Sequence, residues 1–163
     1  MAYDDGILRG YYKKSYFSVD GLWFMKTEEA HGFEEALRLD ADVWEVLAKL
    51  QARKTKELLK IKGNSVADLV AALELKWTAE EYEYEVKEAE EDRGVVLLRS
   101  CPWLRIMEKA GRTHLTQRIG ECVCPREYAA WAKEINPRIR AEIKEMLCRD
   151  GKPCRLSFKT SNR

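Results

Sequence analysis

The spacing of apolar residues along this chain changes from the period of a helix to the period of a strand. In the first half an apolar row recurs every three or four residues, with one skipped turn: Val43, Leu47, Leu50, Leu58 and Ile61. From Tyr82 the pattern alternates, because Tyr82, Tyr84 and Val86 are separated by charged residues. Such a change of period is typical of the α+β class, and we predict helices packed on a small antiparallel sheet.

Capping residues predict where the helices of the first half begin and end. Ser18 is placed to start a first helix, and Gly32 to stop it in the left-handed conformation. The next helix ends at Gly63-Asn64. Ser65 and Asp68 then resemble a capping box that opens a short third helix.

The second half is predicted to be mixed. Strands at 82–86 and 95–98 form a hairpin with a polar loop over 88–94. The helices that follow are placed by their caps and prolines: one from Ser100 to Gly111, one from Thr113 to Cys122, one opened by Pro125 and a last one from Pro137 through Leu147. A terminal strand starts at Cys154. With no linker-like segment and no repeat, we predict one domain over residues 1–163, with a helical half at 18–75 and a mixed half at 80–160.

Charge and hydropathy argue against two classes of partner. The 29 basic and 28 acidic side chains leave a formal charge of +1, so no long-range field attracts nucleic acid or an anionic membrane. No apolar run approaches the roughly 20 residues that a membrane-spanning helix needs. We therefore expect neither nucleic acid nor membrane as a partner.

Five cysteines cannot all be paired in disulfides within one chain. No apolar leader precedes the first charged residues, Asp4 and Asp5, so we expect a cytoplasmic protein with reduced thiols. Clustered reduced thiols are more often metal ligands or catalytic groups than disulfides.

The last third of the chain gathers candidate metal ligands. Glu145 and Cys148 are three apart on the predicted last helix, and Cys154 follows a tight turn. Cys122 would add a fourth ligand from an earlier helix, which gives a donor set that suits tetrahedral zinc. An iron–sulfur cluster is an alternative that cysteine ligands also permit.

Each of these ligands has a plainer interpretation. Cys154 shares a predicted strand face with apolar residues and could be a core residue, and Glu145 could be one of several solvated acids. A protein that binds no metal is therefore an alternative interpretation. Cys124, two residues from Cys122, is a second candidate for the upstream position. Cys101 lies in the first turn of a predicted helix, and we favour a role as a metal ligand over a role as a nucleophile.

Aromatic residues supply the candidate ligand pocket. Trp23, Phe24, Trp44 and Trp103 are predicted to line an apolar space that takes a small, partly apolar molecule. The alternative is an aromatic-rich core. The chain has no phosphate-binding glycine loop and no hydrolase or metalloprotease signature motif.

The end of the chain resembles a known family. The segment that carries this resemblance is Cys148-Arg149-Asp150-Gly151-Lys152-Pro153-Cys154-Arg155-Leu156-Ser157-Phe158. It resembles the C-terminal signature of 4-vinyl reductase domains, which are small-molecule sensors. The resemblance implies their fold, and it implies zinc ligands at Cys122, Glu145, Cys148 and Cys154.

A second resemblance covers most of the chain. It is carried by these motifs: Gly21-Leu22-Trp23-Phe24, Gly32-Phe33-Glu34-Glu35-Ala36-Leu37, Cys101-Pro102, Cys122, Ile135-Asn136-Pro137 and the last two cysteines. They resemble an uncharacterised bacterial and archaeal cytosolic family similar to L-2-amino-thiazoline-4-carboxylate hydrolases. The resemblance implies a homodimer and, as an alternative function, metal-dependent hydrolysis of a carbon–nitrogen bond.

Our expectation from the sequence is a zinc-containing domain that binds a small molecule. Four protein ligands would make the zinc structural, whereas three ligands and a water would fit the hydrolase alternative.

Overall fold

The computed structural model describes residues 3–161. Within that range the chain forms six α-helices and four β-strands. It divides into two compact units, the first ending at Asp40 and the second beginning at Ala41. No helix in the described range combines the length and the apolar character that crossing a bilayer requires.

The first unit contains α1 (Asp5–His31) and the start of α2 (Phe33–Leu58). Gly32 ends α1, which confirms it as the stop signal, with φ of 86° but ψ of 164°, so its backbone is extended instead of left-handed helical. The predicted start at Ser18 is wrong, because the Asp4 side chain accepts from the Gly6 amide at 2.8 Å and caps the helix much earlier. No residue between Asp5 and Ser18 is a strong enough breaker to interrupt it.

Helix α3 (Val66–Ala79) begins at the predicted capping box. The Asp68 amide donates to Ser65 Oγ at 3.1 Å, and the Ser65 amide donates to Asp68 Oδ2 at 2.9 Å. Two otherwise unpaired amides are thus satisfied, which fixes the start of the helix.

The second unit is built on a four-stranded antiparallel sheet. Its strands are β1 (Glu83–Ala89), β2 (Arg93–Ser100), β3 (Ile139–Ile143) and β4 (Cys154–Thr160), in the order β1-β2-β4-β3. This confirms the α+β class and the small antiparallel sheet. The hairpin loop between β1 and β2 is shorter than predicted, because both strands extend into the polar segment.

Strand β3 replaces the predicted last helix, and that prediction is wrong. Ile139 and Ile143 fit both a helical and an alternating pattern, so the spacing alone does not separate the two. Pairing with β4, where Ile143 lies opposite Leu156, selects the strand. The helical turn that follows, α6 (Leu147–Asp150), begins only after Glu145, so Glu145 and Cys148 do not share a helix face.

The predicted helix break at Pro125 is also wrong. A single helix, α5 (Thr116–Ile135), runs through it, and in the preceding α4 (Pro102–Lys109) Cys101 rather than Ser100 occupies the N-cap position, without a side-chain capping hydrogen bond. A proline inside a helix costs about 3 kcal/mol or more. Burial of Val123, Tyr128 and Trp131 along one face of α5 offsets that cost.

The core of the second unit lies between the sheet and the helices α3 and α5. Its largest fully buried side chains are Trp77, Trp131, Phe158, Leu69, Leu73, Ile139 and Leu156. The core therefore fixes the relative positions of the α3 C-terminus and the middle of α5, which carry the polar groups described below.

Gly94 on β2 is a point of close packing between the sheet and α3. An added Cβ would lie 2.9 Å from Val66 Cγ1 and 3.3 Å from Val70 Cγ2. We expect Gly94→Ala to lower the free energy of unfolding by about 1–3 kcal/mol through overpacking. Urea denaturation measures this. Gly10→Ala is the control, since no described atom lies within 4 Å of its added Cβ, and it should be neutral or stabilising; equal losses for both would contradict the packing argument.

Candidate functional site

Three charged side chains meet in the interior of the second unit. Lys76 lies in the last turn of α3, Glu80 caps that helix, and Glu127 lies on α5. Lys76 Nζ is 2.9 Å from Glu80 Oε2 and 3.0 Å from Glu127 Oε1, and the three side chains are only 2%, 8% and 6% exposed. We call these three residues the ion cluster.

The ion cluster has one more acidic group than basic groups. Burial disfavours the charged lysine, but Glu127 and Glu80 outweigh this effect and hold the pKa of Lys76 well above its usual value. Burial raises the pKa of Glu127, and Lys76 opposes that shift only in part. Lys76 therefore stays charged, and Glu127 is the carboxyl group at which a proton relieves the excess negative charge.

Glu127 is incompletely satisfied. Its Oε1 atom is within ion-pair distance of Lys76 Nζ, yet among the described residues it accepts no hydrogen bond of good geometry. A buried acceptor without a hydrogen bond lowers the free energy of unfolding, and it can accept a hydrogen bond from a further donor.

Aromatic rings enclose the ion cluster. The rings of Trp44 on α2 and Trp103 on α4 meet edge to face at 4.9 Å. Trp103 Nε1 donates to Glu80 Oε2 at 3.3 Å. Lys76 Nζ lies 5.2 Å from the centre of the Tyr82 ring and 6.0 Å from that of Trp44, distances at which a cation is attracted to a ring face.

Two phenol groups complete the polar surroundings. Cys101 Sγ donates to the Tyr82 hydroxyl at 3.9 Å, and Trp77 Nε1 donates to the Tyr128 hydroxyl at 3.2 Å. Burial raises the pKa of both tyrosines well above the usual value. Both hydroxyls are therefore protonated at neutral pH.

Four thiols come from four different elements of the second unit. These are Cys101 at the start of α4, Cys124 on α5, Cys148 on α6 and Cys154 on β4, and we call them the thiol group. Burial raises the pKa of all four, that of Cys154 to about 11, and within every pair the charge of one thiolate raises the pKa of the other. These shifts give the electrostatic setting of the thiols, and the contacts of the individual side chains give their positions.

Contacts along α5 place two of these thiols on one side of that helix. Cys148 Sγ lies 2.5 Å from where a Cβ on Gly120 would be, one turn before Cys124. Cys154 Sγ accepts from the Leu147 amide at 3.2 Å, which holds it beside the start of α6. Cys124 packs against the buried core.

The predicted metal ligands are only partly brought together. Cys122 and Cys124 are separated by about 200° around the helix, so they face different directions. Glu145 is 41% exposed, and its Oε1 atom is 3.6 Å from Lys152 Nζ. Over residues 3–161, no three His, Cys, Asp or Glu side chains form a group that could hold a metal ion. The zinc site thus stays a prediction, and so does the choice between Cys122 and Cys124 as its upstream member.

The predicted aromatic residues fall in both units. Trp44 and Trp103 contact each other beside the ion cluster. Trp23 and Phe24 lie on α1 in the first unit, where the Trp23 side chain is 71% exposed and the Phe24 ring is 6.0 Å from Phe33.

The sequence analysis missed the ion cluster. A signal was available, because Lys76 continues the helical spacing of Leu69 and Leu73 and so occupies an apolar position of α3. A charged residue at such a position is rare unless it is paired.

The ion cluster predicts unequal effects of its members on stability. Lys76→Met leaves buried carboxylates without a counter-charge and should lower the free energy of unfolding by about 3–5 kcal/mol. Glu127→Gln resembles the protonated acid and should cost far less. Chemical denaturation of both variants measures the difference. A surface control is Arg53→Met, which breaks an exposed pair with Glu134 and should have little effect.

The pH dependence of Glu127→Gln has a definite sign. Because the pKa of Glu127 is raised in the folded state, the wild type loses stability as pH rises from the unfolded value, near about 4.3, through the folded value. The variant lacks this loss, so its relative stability should increase over that range. A decrease would show that ionised Glu127 stabilises the fold.

Comparison with known proteins places the whole site within one family. A family model described as a family of unknown function, DUF6125, matches residues 7–154. No curated protein is significantly similar to the chain in sequence. Because the match spans most of its length, the chain belongs to the DUF6125 family.

Proposed function

We propose that this chain is a zinc-containing domain that binds a small, partly apolar molecule next to the ion cluster. The observation that carries the proposal is the incompletely satisfied Glu127 carboxyl group, buried beside Lys76 and enclosed by aromatic rings. Ligand sites in proteins typically combine apolar walls with a few such polar groups.

The ion cluster indicates the chemistry of the ligand. With one ammonium and two carboxylates its formal charge is −1, so it favours a ligand with N–H donors or a positive charge. Trp103 is partly exposed and offers a face for stacking. A small nitrogen-containing ring with an amino or amidine group satisfies both requirements.

The thiol group would hold the zinc if its thiols moved closer together, because over residues 3–161 no three of them form a group that could hold a metal ion. Cys124, Cys148 and Cys154 would be ligands, with Cys101 as the fourth, and four protein ligands would make the metal structural. Burial keeps these thiols protonated in the absence of a cation, so their protons would be released on binding.

The finer fold assignment also belongs to this proposal. Cys148 on α6, a left-handed turn at Gly151 and Cys154 at the start of β4 support a 4-vinyl reductase-like domain. A reduced thiol group would require the cytoplasm or a similarly reducing compartment.

A hydrolase is the second candidate. Glu127 favours it, because burial raises the pKa of its carboxyl group, and a carboxyl group with a raised pKa can act as a general acid or base. In the reaction water would add to the ring carbon and the carbon–nitrogen bond would break, with Glu127 taking a proton from the water and returning it to the leaving nitrogen.

We expect close to one zinc per chain after purification without a metal-affinity tag. Cys124→Ser, Cys148→Ser and Cys154→Ser should each lose the metal and unfold at lower temperature, since metal bound only to the native state adds to its stability. Elemental analysis and thermal denaturation measure both effects.

Two further variants test which cysteine is the upstream ligand. Cys122→Ser should keep the metal, whereas Gly120→Ala should weaken its binding by displacing the Cys148 thiol. Metal loss in Cys122→Ser with retention in Cys124→Ser would reverse the assignment. Absence of metal in the wild type under reducing conditions would refute the zinc site.

We expect cyclic amidines and amino-thiazolines to stabilise the wild type. At a hundredfold excess over Kd a ligand adds about 2.7 kcal/mol, which for a chain of this size raises Tm by about 5–11 °C. Trp103→Ala should abolish the shift, and Trp23→Phe, on the first unit, should retain it. Mass spectrometry of the incubated compounds separates binding from hydrolysis: ring opening that is lost in Glu127→Gln would establish the hydrolase instead.

A further inference from the structure

Helix α1 has two distinct faces along its length. Its less exposed residues follow one side, at helical spacing: Lys13, Tyr16, Phe17, Asp20, Phe24 and Thr27. The opposite side should be polar if it only faced water. Instead it carries large exposed apolar residues: Leu8, Tyr11, Tyr12, Val19, Leu22 and Trp23.

The exposed apolar stripe is symmetric about its centre. Leu8 and Leu22 lie at equal distances on either side of Ser15, and so do Tyr11 and Val19. Ile7 and Trp23 form a third matched pair. Two such helices placed antiparallel, with Ser15 facing Ser15, would set Leu8 against Leu22 and Tyr11 against Val19 of the other copy, whereas Tyr12 would lie opposite Ser18.

The ends of the stripe carry opposite charges. Asp4 lies eleven residues before Ser15 and Lys26 eleven residues after it. In the antiparallel arrangement the Asp4 carboxylate of one copy lies near the Lys26 ammonium of the other. Lys26 also contacts Glu29 in its own helix, so it would be shared between two acids. Parallel pairing would instead place like charges together.

The stripe is large enough for a specific interface. Tyr11 and Trp23 are 68% and 71% exposed, and a large aromatic side chain carries about 150–250 Å² of surface. With the aliphatic positions, one copy can bury on the order of 500 Å², half of the roughly 1,000 Å² that a specific interface requires.

We propose that α1 pairs antiparallel with α1 of a second copy of this chain, across a two-fold axis at Ser15. The contacts are isologous, with Leu8 of each copy against Leu22 of the other. The small side chain of Ser15 at the crossing point lets the two helices approach closely. This inference is independent of zinc and of the small-molecule ligand.

Sedimentation velocity of the full chain at concentrations between about 1 and 100 μM tests the pairing. Over this range a dimer of micromolar affinity changes from mostly dissociated to mostly formed. We expect a dimer for the wild type and a monomer for Leu8→Lys and for Leu22→Glu. Both residues are exposed, and circular dichroism checks that each variant stays folded.

Mixing the two variants tests the antiparallel register. In a mixed dimer Lys at position 8 meets Glu at position 22, and the second crossing keeps the native leucine pair, so an equal mixture should dimerise. Parallel helices would set each charged side chain against a leucine and give no rescue.

A cysteine at the symmetry axis gives an independent check. Ser15→Cys should form a covalent dimer under mild oxidation, whereas the wild type and Ala30→Cys, away from the axis, should not. A wild type that stays monomeric over the whole concentration range would overturn the proposal. So would a dimer that survives both leucine substitutions, or a mixture that does not dimerise.

Discussion

The buried ammonium group of Lys76 is the point on which the second unit depends. It joins the end of α3 to α5 through Glu127, and through Glu80 it reaches the indole of Trp103 on α4. Removing a lysine from water costs several kcal/mol, and only well-placed carboxylates repay that cost. Burying the Lys76 ammonium group without partners would be unfavourable, so the helices that carry its partners Glu80 and Glu127 are held in one arrangement.

That constraint also explains why the aromatic residues are where they are. Trp44 and Tyr82 present ring faces to the ammonium group, so the charge is surrounded by polarisable apolar surface instead of water. A purely aliphatic wall would leave the same charge without this compensation. Polar and aromatic groups therefore depend on each other here, and the same combination is what a small-molecule site requires.

The sequence predicted those parts of the fold that are determined locally. Ser65 and Asp68 bond to neighbouring backbone amides, and Gly32 adopts a conformation that few other residues tolerate, so both could be identified from spacing alone. Pro125 and strand β3 were mispredicted because distant contacts decide them. The helix through Pro125 is maintained by burial of Tyr128 and Trp131, and β3 exists because β4 pairs with it.

The same division applies to the candidate site. Residue type and clustering in the sequence indicated Cys101, Cys148 and Cys154, and their role as ligands stays a prediction. The directions in which Cys122 and Cys124 face depend on the rotation of α5, and the position of Glu145 depends on where α6 starts, and the sequence specifies neither. The sequence could have indicated only Lys76 of the ion cluster. Glu127 comes close to Lys76 only because α3 packs against α5, and the sequence does not specify that packing.

Charge connects the two halves of the proposed site. Three thiolates and a divalent ion sum to −1, and four thiolates sum to −2, while the neighbouring ion cluster is itself −1 when both carboxylates are ionised. Like charges repel strongly in a poorly solvated interior, and burial, together with the Glu127 carboxylate, already raises the pKa of the Cys124 thiol. A cationic ligand bound at Glu127 would reduce this repulsion and so favour the thiolates that zinc needs. Because such coupling is reciprocal, bound zinc would likewise increase the affinity of the cluster for that ligand, and the two proposed sites would act as one unit.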